Sequence, residues 1–220
     1  YLSYYVNIAS GPAMVLVAVG EADVPTILEA MPEPWRDRLA LLQNELLPGD
    51  FSALPEPTVI SVWFEKKKGQ DARVIIPSPV FGPRADLLVD ALAKLDIPAM
   101  SLARPEDLLF ELVVKNLYIL VSNIAGLKTG GTVGTLWAEH ETFAREVAAD
   151  VIALQEGLTG AIFDRERLIR AMLVAFEGDP DHKCMGRSAP QRLARALAHA
   201  DRLGLEVPNL RAISREAADA

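Results

Sequence analysis

The stretch Glu106 to Leu127, EDLLFELVVKNLYILVSNIAGL, decides how the rest of the chain is read. Apolar residues surround its whole circumference at helical spacing, which predicts a central helix packed on most sides. At about 100° per residue its exceptions, Glu111, Lys115, Tyr118, Ser122, Asn123 and Gly126, share one stripe. An ammonium carried into an interior must be hydrogen-bonded or face water, because an unpaired buried charge is very costly. The stripe therefore predicts a site. Two plainer readings stand against it. Glu111 precedes Lys115 by four residues, the favourable order for a helix-surface ion pair. A membrane span is the other, but the longest charge-free run within this stretch, Asn116 to Leu127, is too short to cross a bilayer.

Beyond this helix the chain reads as almost wholly helical. Thr129-Gly130-Gly131-Thr132 closes the helix in a glycine turn, and amphipathic helices follow over His140 to Gly157 and Asp164 to Phe176. Ser188-Ala189-Pro190-Gln191 predicts a capping box with proline in the first turn, opening a helix to about Leu203. An Ala-rich tail after Arg215 is expected to fray.

Before residue 103 the pattern is α/β. Residues 14 to 19, MVLVAV, form an apolar run of strand length, followed by Gly20 and a helix from Val24 to Met31 with Asp23 as N-cap and Pro25 just inside. Arg38 to Leu42 gives a second strand, ending in Gln43-Asn44-Glu45. Strand, helix, strand at this spacing predicts a right-handed βαβ unit in a parallel sheet. After a loop over Leu46 to Pro57, Thr58 to Glu65 and Ala72 to Pro77 read as two strands joined by a KKKGQD turn. An amphipathic helix from Arg84 to Leu95 and an extended segment from Asp96 to Met100 complete this half. The expected fold class is thus α/β plus all-α, in domains of residues 1–103 and 104–220.

Composition narrows the function. With 220 residues and 50% hydrophobic content the chain can bury a substantial core without staples. A formal net charge of -8 argues against nucleic acid or an anionic membrane as partner, since both select a basic face. The run Lys66-Lys67-Lys68 is the local exception and reads as a hairpin turn or solvated edge. One cysteine, Cys184, forms no internal disulfide, and no Cys/His spacing suits a structural zinc, so a cytoplasmic setting is expected and no metal. Tyr1-Leu2-Ser3-Tyr4-Tyr5 lacks the pattern of a signal peptide and an initiator methionine, so the sequence is expected to be part of something longer.

Three features in order resemble the ketopantoate reductase family of NAD(P)-dependent oxidoreductases. They are VLVAVGEADVPTIL followed by LALLQNELLP, the lysine and asparagine eight apart at Lys115 and Asn123, and the C-terminal AHADRLGLEVPNL. The resemblance spans roughly residues 14 to 213. It implies an incomplete Rossmann-type nucleotide-binding domain, then a helical domain for substrate binding and dimerisation, like that of 6-phosphogluconate dehydrogenases. Lys115 would be the general acid and electrophilic anchor for the ketone oxygen of a 2-oxo acid. Asn44 would position substrate and cofactor, Val19 and Gly20 would lie on the cofactor side, and Asn123, Ser122 and Ser188 would contact substrate.

The chain also departs from the family. It holds no G-x-G-x-x-G, and the first βαβ unit is expected ahead of Tyr1. Gly20 stands where the family has a lysine, Ile119 where it has a middle asparagine, and Ser188 where a substrate-binding glutamate belongs. The expectation is therefore an NAD(P)H-dependent reductase of a small 2-oxo acid other than ketopantoate, NADP(H) preferred, acting as a homodimer. The rival is a non-catalytic relative that binds a metabolite or serves as an assembly subunit.

Asp181 to Arg187, DHKCMGR, lies where the lost glutamate would face the substrate; its cations suit an anionic group, and Cys184 there could have a lowered pKa and support a thiol reaction. Its plainer reading is a polar inter-helix loop with an incidental thiol. His140 between Glu139 and Glu141 reads as the start of a surface helix rather than a metal set, and Trp35, Trp63 and Trp137 as core or interface residues. His199 reads as solvated on an arginine-rich face.

Overall fold

Alternation along short strands builds the first unit. The computed structural model describes residues 11–20, 23–65, 69, 71–186 and 188–218. It divides into two units, one through Leu112 and one from Val113 onward. In the first, β1 (Val15–Val17), β2 (Leu39–Leu41) and β3 (Thr58–Ile60) run parallel, in register Val15↔Leu39 and Ala40↔Thr58. Because successive side chains point to opposite faces, Leu39, Leu41 and Val59 enter one core with Val17 and Met31, and Leu108 and Leu112 join it. Ala40 and Ile60 enter the other, against Leu88 and Leu92 of helix α2 (Ala85–Ala93). Both faces are covered, as a parallel sheet requires. The β1–β2 connection contains helix α1 (Val24–Glu29) and a 3-10 turn at Glu33–Arg38. Asp23 is its N-cap residue but makes no side-chain cap bond.

The sheet is mixed rather than wholly parallel. Its order is β1-β2-β3-β6-β7, with β6 (Ser78–Phe81) antiparallel to β3 and parallel to β7 (Ala99–Ser101). The expected hairpin is a separate ribbon of β4 (Phe64–Glu65) and β5 (Arg73–Val74), and Lys66-Lys67-Lys68 lies outside the described residues. The expected strand Thr58 to Glu65 divides into β3 and β4, Ala72 to Pro77 shortens to β5, and β6 is a further strand that the sequence reading did not include. Proline is rare inside a sheet because it donates nothing to the ladder. Here Pro79 serves as an acceptor, its carbonyl taking the Ser61 N–H at 2.9 Å.

The second unit is helical. Helix α3 (Pro105–Thr129) runs into it, and Val113, Leu117, Val121 and Ile124 are fully buried. α3 is long and apolar enough to span a membrane, yet 83% of the qualifying window is buried, as in the core helix of a folded domain. Around it stand α4 (Val133–Thr159), α5 (Arg165–Gly178), α6 (Ala189–Leu203) and α7 (Pro208–Ala218).

α4 begins seven residues before the expected His140, because Thr132 caps it with its hydroxyl on the Thr135 N–H. His140 marks a break, φ -133° and ψ 30°, which is why the periodicity seemed to start there. α7 carries the helix past Arg215, after which fraying was expected, as far as Ala218, and it is anchored at its start. The buried Asp150 carboxylate accepts from the Asn209 N–H at 2.7 Å and the Leu210 N–H at 3.1 Å, satisfying first-turn donors of α7.

Candidate functional site

The polar residues of α3 are gathered by what packs on them. Tyr118 lies edge-on to Phe176 of α5, ring centroids 5.5 Å apart, and 6.0 Å from the His182 ring in the loop before α6. The Lys115 ammonium sits 5.6 Å from the Tyr118 ring centroid, within cation–π range. Ser122 turns its hydroxyl back onto the Tyr118 carbonyl at 2.7 Å, and the Asn123 amide donates to Ser122 Oγ at 3.4 Å. Asn123 Oδ1 accepts from Nη1 of Arg192 at 3.0 Å. Lys115, Tyr118, Ser122 and Asn123 thus share one side of α3, and Arg192 of α6 packs against Asn123.

The loop before α6 is locked to α3 at close range. A Cβ on Gly126 would stand 2.7 Å from Cβ and 2.8 Å from the carbonyl carbon of Cys184, so only glycine admits the loop here. The Cys184 N–H donates to the Gly131 carbonyl at 3.1 Å, and Thr132 and Lys183 form an antiparallel bridge. These contacts settle the thiol question. Cys184 is fully buried, and burial pushes its thiol up to about 11, so the lowered pKa and the thiol reaction considered from sequence are both overturned. Arg187 of the same loop lies outside the described residues.

Ser188 also departs from expectation. It is the N-cap residue of α6 but adopts helical angles, φ -89° and ψ 0°, and makes no side-chain cap bond, so no capping box forms. Its side chain is exposed, and its carbonyl accepts from the Arg192 N–H at 2.9 Å. Arg192, one turn along α6, is the residue that sequence reading missed. Its one available signal was position, four residues past Ser188 on the same helix face.

Lys115 is half-buried, and its ammonium is pulled down to about 7, by burial first and then by the Arg192 guanidinium. An ion pair with Glu111 would act in the opposite sense, holding the charge on and raising the pKa.

The other predicted residues lie in the sheet unit. β1 and β2 are parallel, so Val19-Gly20 and Asn44 follow the carboxyl ends of neighbouring strands. Between them the buried Gln43 amide donates to the Val17 carbonyl and to the Val19 carbonyl, the latter at 3.3 Å, pinning the two strand ends together. Gly20 is exposed, and Asn44 is half-buried in a turn whose next residue, Glu45, has φ 60°. That left-handed conformation normally favours glycine. His140 is exposed, Trp63 is fully buried, Trp35 packs on the first core, and the Arg145 guanidinium stacks 5.0 Å from the Trp137 ring. His199, expected to be solvated, is partly exposed, its Nδ1 2.6 Å from Nη2 of Arg202 in an exposed contact. No group of three metal-ligating side chains occurs among the described residues.

No protein-family model matches the sequence, and no curated protein does. Solved structures do match. A PanE/ApbA family ketopantoate reductase from Ralstonia eutropha JMP134 superposes with TM-score 0.63 at 19% identity, over 95% of this chain and 76% of that one. A 2-dehydropantoate 2-reductase from Methylococcus capsulatus gives TM-score 0.66 at 13% identity, over 95% and 74%. A D-mandelate dehydrogenase, seen in a ternary structure with NADH and anilino(oxo)acetate, gives 0.65 at 8% identity, over 94% and 75%. The likeness at such identities is one of fold. The chain shares the fold of these structures over nearly its whole length.

Proposed function

We propose that the protein is an NAD(P)H-dependent oxidoreductase that reduces a small 2-oxo acid other than ketopantoate. The observation that carries this reading is Lys115, a half-buried lysine brought to about 7 and set on one wall with Ser122 and Asn123. The shared fold with ketopantoate reductases and a D-mandelate dehydrogenase supports the reaction class. Val19, Gly20 and Asn44 suit a dinucleotide, which in α/β sheets lies outside the carboxyl ends of strands. Gly20 presents backbone without a Cβ at that edge, and Gln43 holds the strand ends fixed. A nicotinamide held there would supply the hydride.

What the chain's own residues do follows from their chemistry. The Lys115 ammonium donates a hydrogen bond to the ketone oxygen and stabilises the negative charge that develops on it. It then gives its proton to that oxygen, and a pKa near 7 makes the transfer efficient at neutral pH. Asn123 and Ser122 hold the substrate's far end. In the reductive direction kcat/KM is expected to fall as pH rises through about 7, and in the oxidative direction to rise.

A cytoplasmic setting, a preference for NADP(H) and a homodimer through the helical unit belong to the same proposal, the last resting on the resemblance and read by sedimentation velocity. The decisive test is NADPH and NADH binding by calorimetry, followed by a screen of 2-oxo acids for cofactor oxidation. Absence of binding to either cofactor overturns the reading and leaves a metabolite-binding relative on the same scaffold.

A further inference from the structure

We infer that Tyr118 is a positioning residue: its ring, held by Phe176 and His182, is the platform that fixes the Lys115 ammonium. The inference rests on the oxidoreductase reading for the lysine's purpose, but its own evidence is the packing around the ring.

A lysine and a tyrosine three residues apart are neighbours on any helix, and on a surface such a pair is ordinary. This pair is not on a surface. Tyr118 is 3% exposed, and side chains from two other elements of the helical unit meet at its ring. α5 supplies the buried Phe176, whose ring lies 5.5 Å away at 69°, the edge-to-face arrangement that aromatic pairs prefer. The loop before α6 supplies His182, whose ring lies 6.0 Å away at 49°. His182 is itself held in place. Its carbonyl accepts from the Val133 N–H at 2.9 Å, its N–H donates to the Asp179 carbonyl at 3.0 Å, and its Nδ1 stands 3.5 Å from the buried Asp179 carboxylate. In a close-packed interior, a ring enclosed in this way keeps its orientation.

The Lys115 ammonium stands over that ring, 5.6 Å from its centroid. A lysine's long, flexible stem gives its charge many positions, and the ring quadrupole selects one of them, more strongly as water is removed. The ring also acts on the proton. Burial and the Arg192 guanidinium disfavour the charged lysine, whereas the negative face of the ring favours it. Lys115 has further partners, so the ring's share is the quantity to measure. The charged or titratable groups set around the pair are Glu111, one turn earlier on α3, Arg192 of α6, and His182 with Asp179 in the loop. Substitution of the ring leaves every one of them in place.

The test changes the charge distribution of the ring and little else. Tyr118 is replaced in the whole chain by phenylalanine, by a monofluorinated phenylalanine and by a trifluorinated one. The carbon-13 shift of Lys115 Cε, assigned with Lys115→Met, is then followed against pH. Fluorine withdraws electron density from the ring face and keeps the ring's shape, so all three proteins are expected to fold. Tyr118→Phe should titrate near wild type, and added fluorine should lower the midpoint, by about half a pH unit or more for the trifluorinated ring. A ring that only fills space would leave the titration indifferent to fluorine, which overturns the inference. A midpoint already displaced in Tyr118→Phe assigns the effect to the hydroxyl and overturns it too. The oxidoreductase reading is tested apart, by NADPH calorimetry and by turnover of 2-oxobutanoate. A fluorine-dependent titration in a protein that binds no NADPH sinks that reading and leaves the platform standing. NADPH binding with an indifferent titration does the reverse. Where 2-oxobutanoate is turned over, the falling limb of kcat/KM should move to lower pH with the lysine, and a limb that stays in place overturns the positioning role.

Discussion

Two neighbouring residues on α3, Lys115 and Asn116, point into different worlds. Asn116 is 2% exposed and donates through Nδ2 to Oε1 of Gln155, also 2% exposed, at 3.0 Å. That pair is neutral, buried on both sides and joins α3 to α4, so it fastens two helices. Lys115 belongs to the face that meets α5, the loop after it and α6, where Asn123 is held by a charged arginine. Both faces break an apolar helix with polar side chains. The difference lies in the partner: a neutral amide closes one face, and a cation that also acts on Lys115 sets the chemistry of the other.

The largest test of this contrast is Lys115→Ala. If the stripe does chemistry, turnover falls by about a hundredfold to ten-thousandfold, the range for losing a general acid, while the thermal midpoint holds or rises. Turnover retained in this variant would erase the distinction between the two faces. Asn116→Ala should do the opposite. It strands the buried Gln155 amide and should cost about 1–3 kcal/mol in urea unfolding, with KM and kcat of the folded enzyme unchanged. Loss of activity without loss of stability would instead draw the Asn116 face into the site.

Gly126→Ala sharpens the boundary between the faces. The new methyl meets Cys184 at 2.7 Å, including backbone that cannot rotate away, so a loss of about 1–3 kcal/mol is expected, read as a lowered thermal midpoint. A neutral outcome would mean that the loop before α6 is not seated on α3 as described.

The smallest effect is a slope. The folded pKa of Lys115, about 7, lies below its ordinary 10.5, so between those values the unfolded chain binds a proton that the folded chain does not. This group's contribution to stability therefore rises with pH from about 7 to about 10.5 and is level below 7, where both states are protonated. Lys115→Met should remove that rise from a plot of unfolding free energy against pH. An unchanged slope would assign the pH dependence elsewhere.

What could be read without a structure was whatever depends on local period. The all-round apolar pattern of α3, the change from α/β to helical near residue 103 and the polar recurrence at 115, 118, 122, 123 and 126 are intrinsic to the chain. What could not be read depends on partners distant in sequence. Arg192 meets Asn123 across 69 residues, and nothing local distinguishes it from the other arginines of α6. Asp150 holds the start of α7 from 59 residues away, a contact that no local pattern announces. β6 was hidden by its proline, which is an acceptor here rather than a breaker. Cys184 looked reactive because its sequence neighbours are cations, yet burial against Gly126 decides its acidity.

That same buried thiol gives the protein its own reporter. Cys184 is the chain's one cysteine, sealed where the loop before α6 lies against α3. An alkylating reagent can reach it only when the loop lifts, so the rate of labelling measures the free energy of that opening, without a fluorophore or an engineered site. Since the neighbouring Gly186 stands close to the Asn123 oxygen, a ligand that tightens the Asn123 wall should slow the labelling even if it is never turned over. Ligand discovery for this protein can therefore begin with a mass spectrometer and a library of acids, ahead of any assay for a reaction.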